Sequence, residues 1–537
     1  MSLKGFGRCR LTFAHHASAA EAANPRLCSI LRSSKRHKST YVETRDKFTP
    51  TPLSHHAERQ YSLPALQNRP LKAMGFSDLL RSLLVLSVTT LPKPLMLELV
   101  KITKKHAIHL DRSKVLRWIV NHTFYRHFCI GSSQSEIISN IAALRNMGLQ
   151  GVVLTYGREA TAESHNALPA VLTHADETLQ NWMNSNFLTI EMLTPGDYIA
   201  LRVTGAGPTT VGLLERYTQA SRQDCGSPES AKNISNDLKQ EMGCLQDVMR
   251  QICAKAQGKN VRVLIDAEGS RYQRAIDEVA LNLMSEFNRF SKPHDCGDGR
   301  ATILNTYQLY LKDNINKIKR HLQHSISNNY VLGLKLVRGA YMYVEAERER
   351  IHDSKQETDD AYNAAVSFLL SNGTWELPAA GKRSGSGKTD LLLATHNTYS
   401  VQKALQHYTS DAGARERVRG LSFAQLMGMA DELSLSLAAQ LKQQNADSGD
   451  NILVETVQEG RDNGIANDSI TLQSSRSPCV SYPKVGIYKY TVWGTLSDCL
   501  LYLLRRAEEN SDAVGRSRAT VIALLKEFLT RIVLFRR

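Results

Sequence analysis

Four short blocks of this chain gather residue types that could carry chemistry. Asp266-Ala267-Glu268 sets two carboxylates close together at the end of an extended segment, although acids in such a place also serve as helix N-caps. Lys335-Leu336-Val337-Arg338-Gly339-Ala340-Tyr341 carries two cations at i and i+3 on an apolar run, then a glycine that lets the backbone approach a ligand. Cations beside a core strand need an anion or acids nearby. Thr395-His396-Asn397 lines up three hydrogen-bonding side chains; a lone histidine is more often a satisfied packing residue. In residues 494–510, Tyr502, Arg505, Arg506 and Glu509 recur at i, i+3, i+4 and i+7, so one helical face collects a phenol and two guanidiniums. Paired guanidiniums suit a bidentate grip on the carboxylate of a small amino or keto acid. A solvated charged face, with Glu508 and Glu509 as partners, accounts for the same pattern equally well.

These blocks need a frame. Eight short apolar or β-branched runs lie at 151–155, 198–204, 261–266, 301–305, 332–337, 390–394, 418–423 and 485–490. Helical patterns separate them, as at 275–287, where Ile276, Val279, Ala280, Leu283 and Phe287 would share a face. Eight strands alternating with helices predict a (β/α)₈ barrel, an α/β fold, although an open doubly wound sheet gives a similar local pattern. In a barrel the site forms at the C-terminal ends of the strands, and the first three blocks follow the third, fifth and sixth runs.

Around this frame, residues 371–389 and 442–477 read as polar loop insertions. Gly387-Lys388-Thr389 fails as a P-loop because Lys382 stands where glycine is required. Gly205-Ala206-Gly207 likewise fails as a dinucleotide fingerprint because Thr210 replaces the third glycine. Nine scattered cysteines with no C-x-x-C pair support neither a disulfide framework nor a zinc site. The formal charge of +15 is concentrated at the start, where residues 1–40 hold eight Lys or Arg against one acid. Such a basic, Ser-rich opening fits a mitochondrial transit peptide over residues 1–45, with a disordered basic tail as the alternative. No run is long and apolar enough to span a bilayer. Residues 79–100 could form an amphipathic surface helix within a helical arm at 46–120, against a membrane or, preferably, against the rest of the protein.

The blocks stand in the order and wording of a known family. LIDAEGSRYQRAIDEVALNLMSEFN, LNTYQLYLKD, LGLKLVRGAYMYVEAER, LATHNTYS, FAQLMGMADELSLSL and IYKYTVWGTLSDCLLYLLRRAEENSD, with FYRHFCIG and LRVTGAG upstream, resemble the FAD-dependent proline dehydrogenases of mitochondria, of the monofunctional fungal-like type. The resemblance covers residues 124–512 apart from the two insertions. It implies a distorted barrel over 121–515, a C-terminal helix at 516–537, noncovalent FAD, oxidation of L-proline to Δ1-pyrroline-5-carboxylate and electron transfer to a membrane quinone. It also implies a peripheral position on the matrix side of the inner membrane and no nucleic acid partner.

Carried over position by position, the resemblance implies that Arg505 and Arg506 clamp the proline carboxylate while Tyr490, Tyr502 and Leu426 wall the ring. Tyr341 would pack beside the substrate, Lys335 near the reacting edge of the flavin, and Asp266 among the cations it orients. Asn305, Gln308, Arg338, Gly339, Thr395, His396 and Asn397 would contact the cofactor. Arg202 stands where the family usually shows lysine, which alters shape while keeping charge. Tyr490 argues for plain proline over hydroxyproline. Rival readings are another flavin barrel that takes electrons from a nicotinamide, which gives no reason for the paired arginines, and a catalytically dead proline sensor.

Overall fold

Each of the eight apolar runs forms a parallel strand, and together they close on themselves. In this computed structural model the strands are β2 (Gly151–Tyr156), β3 (Tyr198–Leu201), β4 (Arg262–Ile265), β5 (Ile303–Gln308), β6 (Leu332–Val337), β7 (Thr389–Ala394), β8 (Val418–Leu426) and β9 (Val485–Trp493). Hydrogen bonding runs in sequence order from β2 to β8, and β9 joins β8 to β2. The sheet is therefore the expected (β/α)₈ barrel and not an open doubly wound sheet. A three-residue strand, β1 (Cys129–Gly131), pairs with the last residues of β9; it is too short to leave a periodic signal.

The structure describes residues 69–89, 113–157, 171–222, 234–290, 299–342, 347–371, 387–448, 485–512 and 514–535, with Leu95, Glu98 and Glu345. All lie in one compact unit, Glu58–Arg537. The expected transit peptide and most of both insertions lie outside the described residues. The helix Asp431–Ser448 does, however, run into the start of the stretch read as the second insertion.

Strands buried on both faces must be apolar on both, and Val152, Val153 and Leu154 are fully buried in succession. One face packs on the surrounding helices, as where Ile276, Val279, Ala280 and Leu283 of the helix Ser270–Phe287 meet the outer core. The other fills the barrel with Val153, Tyr198, Ala200, Leu264, Leu304, Leu392, Ala424, Tyr488 and Tyr490. At the N-terminal end, Arg300 grips Asp390 with two bonds of 2.9 Å, and the hydroxyls of Tyr198 and Ser422 accept from the same guanidinium. Burial works against that cation, but Asp390 outweighs it and holds the pKa well above the usual value. The cluster closes the barrel floor, so ligands must enter at the opposite mouth.

Two helices at the ends of the described chain pair off the barrel. Phe76–Thr89 and Val514–Phe535 share a small core that includes Leu79, Leu86, Leu524 and Phe528. Arg69 and Arg531 both bond to the carboxylate of Glu527. Within 79–100, Leu79, Val85 and Leu86 are buried as expected of a segment packed on the protein, but Leu80, Leu84 and Val88 are exposed.

Candidate active site

Parallel register decides which polar side chains enter the barrel. Lys335, the fourth residue of β6, lies level with Thr306 and Leu392, and Leu392 belongs to the interior cluster. Its ammonium therefore points inward, where it donates to Asp266 Oδ1 at 2.5 Å. Asp266 directly follows β4. Its other oxygen accepts from the Tyr490 hydroxyl at 2.6 Å and lies 3.9 Å from Nε of Arg202, which directly follows β3. The Lys335 ammonium also sits 4.8 Å from the centre of the Tyr490 ring, within cation–π range. Side chains from three other parts of the barrel, β3's end, β6 and β9, thus meet at the one buried Asp266 carboxylate.

The electrostatics separate the two acids of the Asp266-Ala267-Glu268 block. Burial by itself would raise the Asp266 pKa, but Lys335, then Arg202, and the hydrogen bonds from Lys335 and Tyr490 hold it below the usual carboxylate range. Glu268 is pushed up by burial despite donations from the Thr204 amide and hydroxyl. The Tyr490 phenol is driven well above its ordinary value by burial and by Asp266 beside it, with Tyr502 adding to the effect. Asp266 is consequently a fixed anion, while Tyr490 is a fixed donor.

A second group gathers beyond β6 and β7. The Arg338 guanidinium bonds to Asp359, to Thr395 Oγ1 at 2.8 Å and to Ser400 Oγ at 3.0 Å, with its carbon 4.3 Å from the Tyr362 ring centre. His396 Nε2 accepts from the Leu426 amide at 3.1 Å, which assigns the ring proton to Nδ1. Gln308, the last residue of β5, donates to the Glu268 carbonyl at 3.0 Å. Gly339 has φ of +136°, and a Cβ there would come within 1.9 Å of the Tyr310 ring. This glycine is needed to pass Tyr310, a packing demand in addition to the ligand approach expected from sequence.

The helix Leu496–Asp512 follows β9 and covers the same end. Leu496, Cys499, Tyr502 and Leu503 join the interior cluster that contains Tyr490 and Val492. One turn beyond Tyr502, Arg506 is buried and holds its guanidinium carbon 5.0 Å from the Tyr502 ring centre; Arg505 is half-buried. The arginine pair is not a solvated charged face.

Two residues fall away from the mouth. Asn305 turns outward with Leu334, its register partner, and donates to Asp277 on the outer helix Ser270–Phe287 at 2.9 Å. Asn397 accepts from the Ser400 amide and caps the helix Thr398–Ser410. Leu426 pairs with Tyr490 across β8 and β9, and Tyr341 is half-buried just beyond β6. Sequence reasoning missed Gln425, which is buried, donates to the Thr395 carbonyl and accepts from Ser434. An amide set directly between the apolar Phe423-Ala424 pair and Leu426 was its available signal. Among the described residues no cluster of His, Cys, Asp or Glu could hold a metal ion.

A family model described as "Proline dehydrogenase" matches residues 137–519. The chain is 26% identical over 431 residues to "Probable proline dehydrogenase, mitochondrial" of Schizosaccharomyces pombe, covering 74% of this chain and 77% of that protein. It is 28% identical over 426 residues to "Proline dehydrogenase 1, mitochondrial" of Arabidopsis thaliana, covering 72% and 79%. A solved structure, "Crystal structure of proline utilization A (PutA) from Bdellovibrio bacteriovorus inactivated by N-propargylglycine", has a TM-score of 0.46 and 16% identity over 72% of this chain and 32% of that one.

Proposed function

Because the chain belongs to the proline dehydrogenase family, we propose that it oxidises L-proline to Δ1-pyrroline-5-carboxylate, the first step of proline catabolism to glutamate, in mitochondria. The cofactor we assign is FAD, seated at the C-terminal mouth of the barrel. The donor set fits an anionic dinucleotide: the Arg338 guanidinium, the Gln308 amide and the His396 Nδ1 proton are the kinds of group that hold phosphates and a heteroaromatic ring. When bound, FAD would supply the acceptor for the hydride and the route by which electrons reach a membrane quinone on the matrix side of the inner membrane.

The protein's own part is positioning. Arg505 and Arg506 clamp the substrate carboxylate, and Tyr490, Tyr502 and Leu426 wall the ring, with Tyr341 beside it. The proline amine must be neutral before hydride leaves the neighbouring carbon; the nearby cations Lys335, Arg202, Arg505 and Arg506 favour that state by disfavouring ammonium. Asp266 holds Lys335 and Arg202 in place without reacting. Burial of Lys335, Tyr490, Tyr502 and Arg506 keeps water away, so orientation accounts for most of the rate.

The observation that carries the reading is the buried Asp266 held by Lys335 and Tyr490 at the strand ends beneath the arginine helix. The test is spectroscopic: purified full-length protein should be yellow, bleach on adding L-proline and respond poorly to D-proline and hydroxyproline. A colourless protein that binds proline would instead support the sensor.

A further inference from the structure

We propose that the outward faces of the helices Phe76–Thr89 and Val514–Phe535 form a seat for the surface of an anionic lipid bilayer. On the first helix Phe76, Leu80, Leu84 and Val88 recur every four residues; on the second, Ile522, Leu525, Leu529 and Val533 recur at i, i+3, i+7 and i+11. These spacings put each set on one stripe. All eight side chains are between 38% and 56% exposed, whereas a surface helix of a globular protein normally turns polar residues outward. The opposite faces are the ones packed together, through Leu79, Leu86, Leu524 and Phe528. Phe76, itself in the outer stripe of the first helix, also stacks on Phe528 of the second with ring centres 5.6 Å apart. An exposed apolar patch of this kind marks an interaction surface.

Charge selects the occupant. Residues 69–89 and 514–535 hold seven Lys or Arg (Arg69, Lys72, Arg81, Arg516, Arg518, Lys526 and Arg531) and only two acids. Both acids are already engaged, Asp78 with Arg81 at 2.9 Å and Glu527 with Arg69 and Arg531. An apolar stripe beside surplus cations matches a helix lying in the interface of an anionic bilayer, with its apolar side chains among the acyl chains and its cations at the headgroups. Among the described residues no helix is long and apolar enough to cross a membrane. The seat deepens the reading above, since an enzyme that feeds a membrane quinone must sit at the bilayer, and it names the surface that does so.

The test is flotation of purified full-length protein with vesicles of phosphatidylcholine plus phosphatidylserine and with phosphatidylcholine alone, alongside proline oxidation measured with a soluble dye. Wild type should float with the anionic vesicles. The double variant Leu84→Glu/Leu529→Glu should lose about tenfold or more of that binding, and Lys72→Ala/Lys526→Ala should lose it mainly on anionic vesicles. Ile138→Glu, an exposed apolar position on another helix, should bind as wild type. Dye-linked activity should be unchanged in all three variants, which shows that they fold. Equal flotation of Leu84→Glu/Leu529→Glu and wild type would overturn the proposal. So would light scattering showing a vesicle-free dimer that this variant converts to monomer, because the seat would then belong to a second copy. If the vesicle results hold but no variant or wild type oxidises proline, the seat stands and the enzymatic reading fails.

Discussion

Lys335 and Asp266 are 69 residues apart in sequence and 2.5 Å apart in space, a buried ion pair that joins β6 to the end of β4 inside the barrel. The pair stands at the mouth and not the floor because Asp266 lies one residue past its strand.

Removing one partner leaves the other charge buried. Lys335→Met or Asp266→Asn should each cost about 3–5 kcal/mol, read as a shift in urea midpoint. The double variant should recover part of that loss without recovering proline oxidation. Fully additive losses would mean that the pair is not coupled.

The two buried arginine sites should separate in kinetics. Arg506→Met should raise KM for proline by about ten- to a hundredfold, the scale of losing one arm of a charged clamp, with flavin absorbance retained. Arg300→Met, at the opposite end, should lower stability by about 3–5 kcal/mol and leave KM alone. Unchanged proline kinetics in Arg506→Met would reject the clamp.

Gly339→Ala forces a side chain into positive φ and against Tyr310. A destabilisation of about 2–4 kcal/mol is expected, and because Arg338 is its neighbour, flavin retention should fall with it. Thermal unfolding and the flavin-to-protein absorbance ratio would show both.

His127 should make the fold acid-sensitive. Burial, opposed by Asp431 and reinforced by Arg81 and Lys489, pushes its imidazole from 6.5 down to about 4. Between those values the unfolded chain binds more protons than the folded one, so stability falls as pH falls from 6.5 towards 4, by about 3 kcal/mol once that window is crossed. His321 is lowered to about 4 as well and should contribute in the same direction. Urea midpoints measured across this range should drop less steeply for His127→Gln; an identical slope would count against a buried neutral imidazole.

Much of the fold was legible in the residue order. Strand runs and helical periodicity carry their own signal because a parallel barrel strand is apolar on both faces and a covering helix on only one. Site residues were less legible, because side chains one position apart face opposite ways. Gln308 enters the mouth while Asn305, in the same strand, bonds outward to Asp277. Likewise Asn397 spends its side chain on a helix cap, and Gln425 drew no notice although it is buried beside Thr395.

The amino-acid order by itself determined the eight strands, the motifs that resemble proline dehydrogenase and the basic start of the chain, because these depend on local pattern and composition. Tertiary structure alone decided which carboxylate has its pKa held down and which has it pushed up. Asp266 and Glu268 are two residues apart and chemically alike, yet Lys335, Arg202 and Tyr490 converge on the first, while burial dominates the second. That difference comes from closing the barrel, which brings residues of distant strands within bonding range of one side chain and not its neighbour.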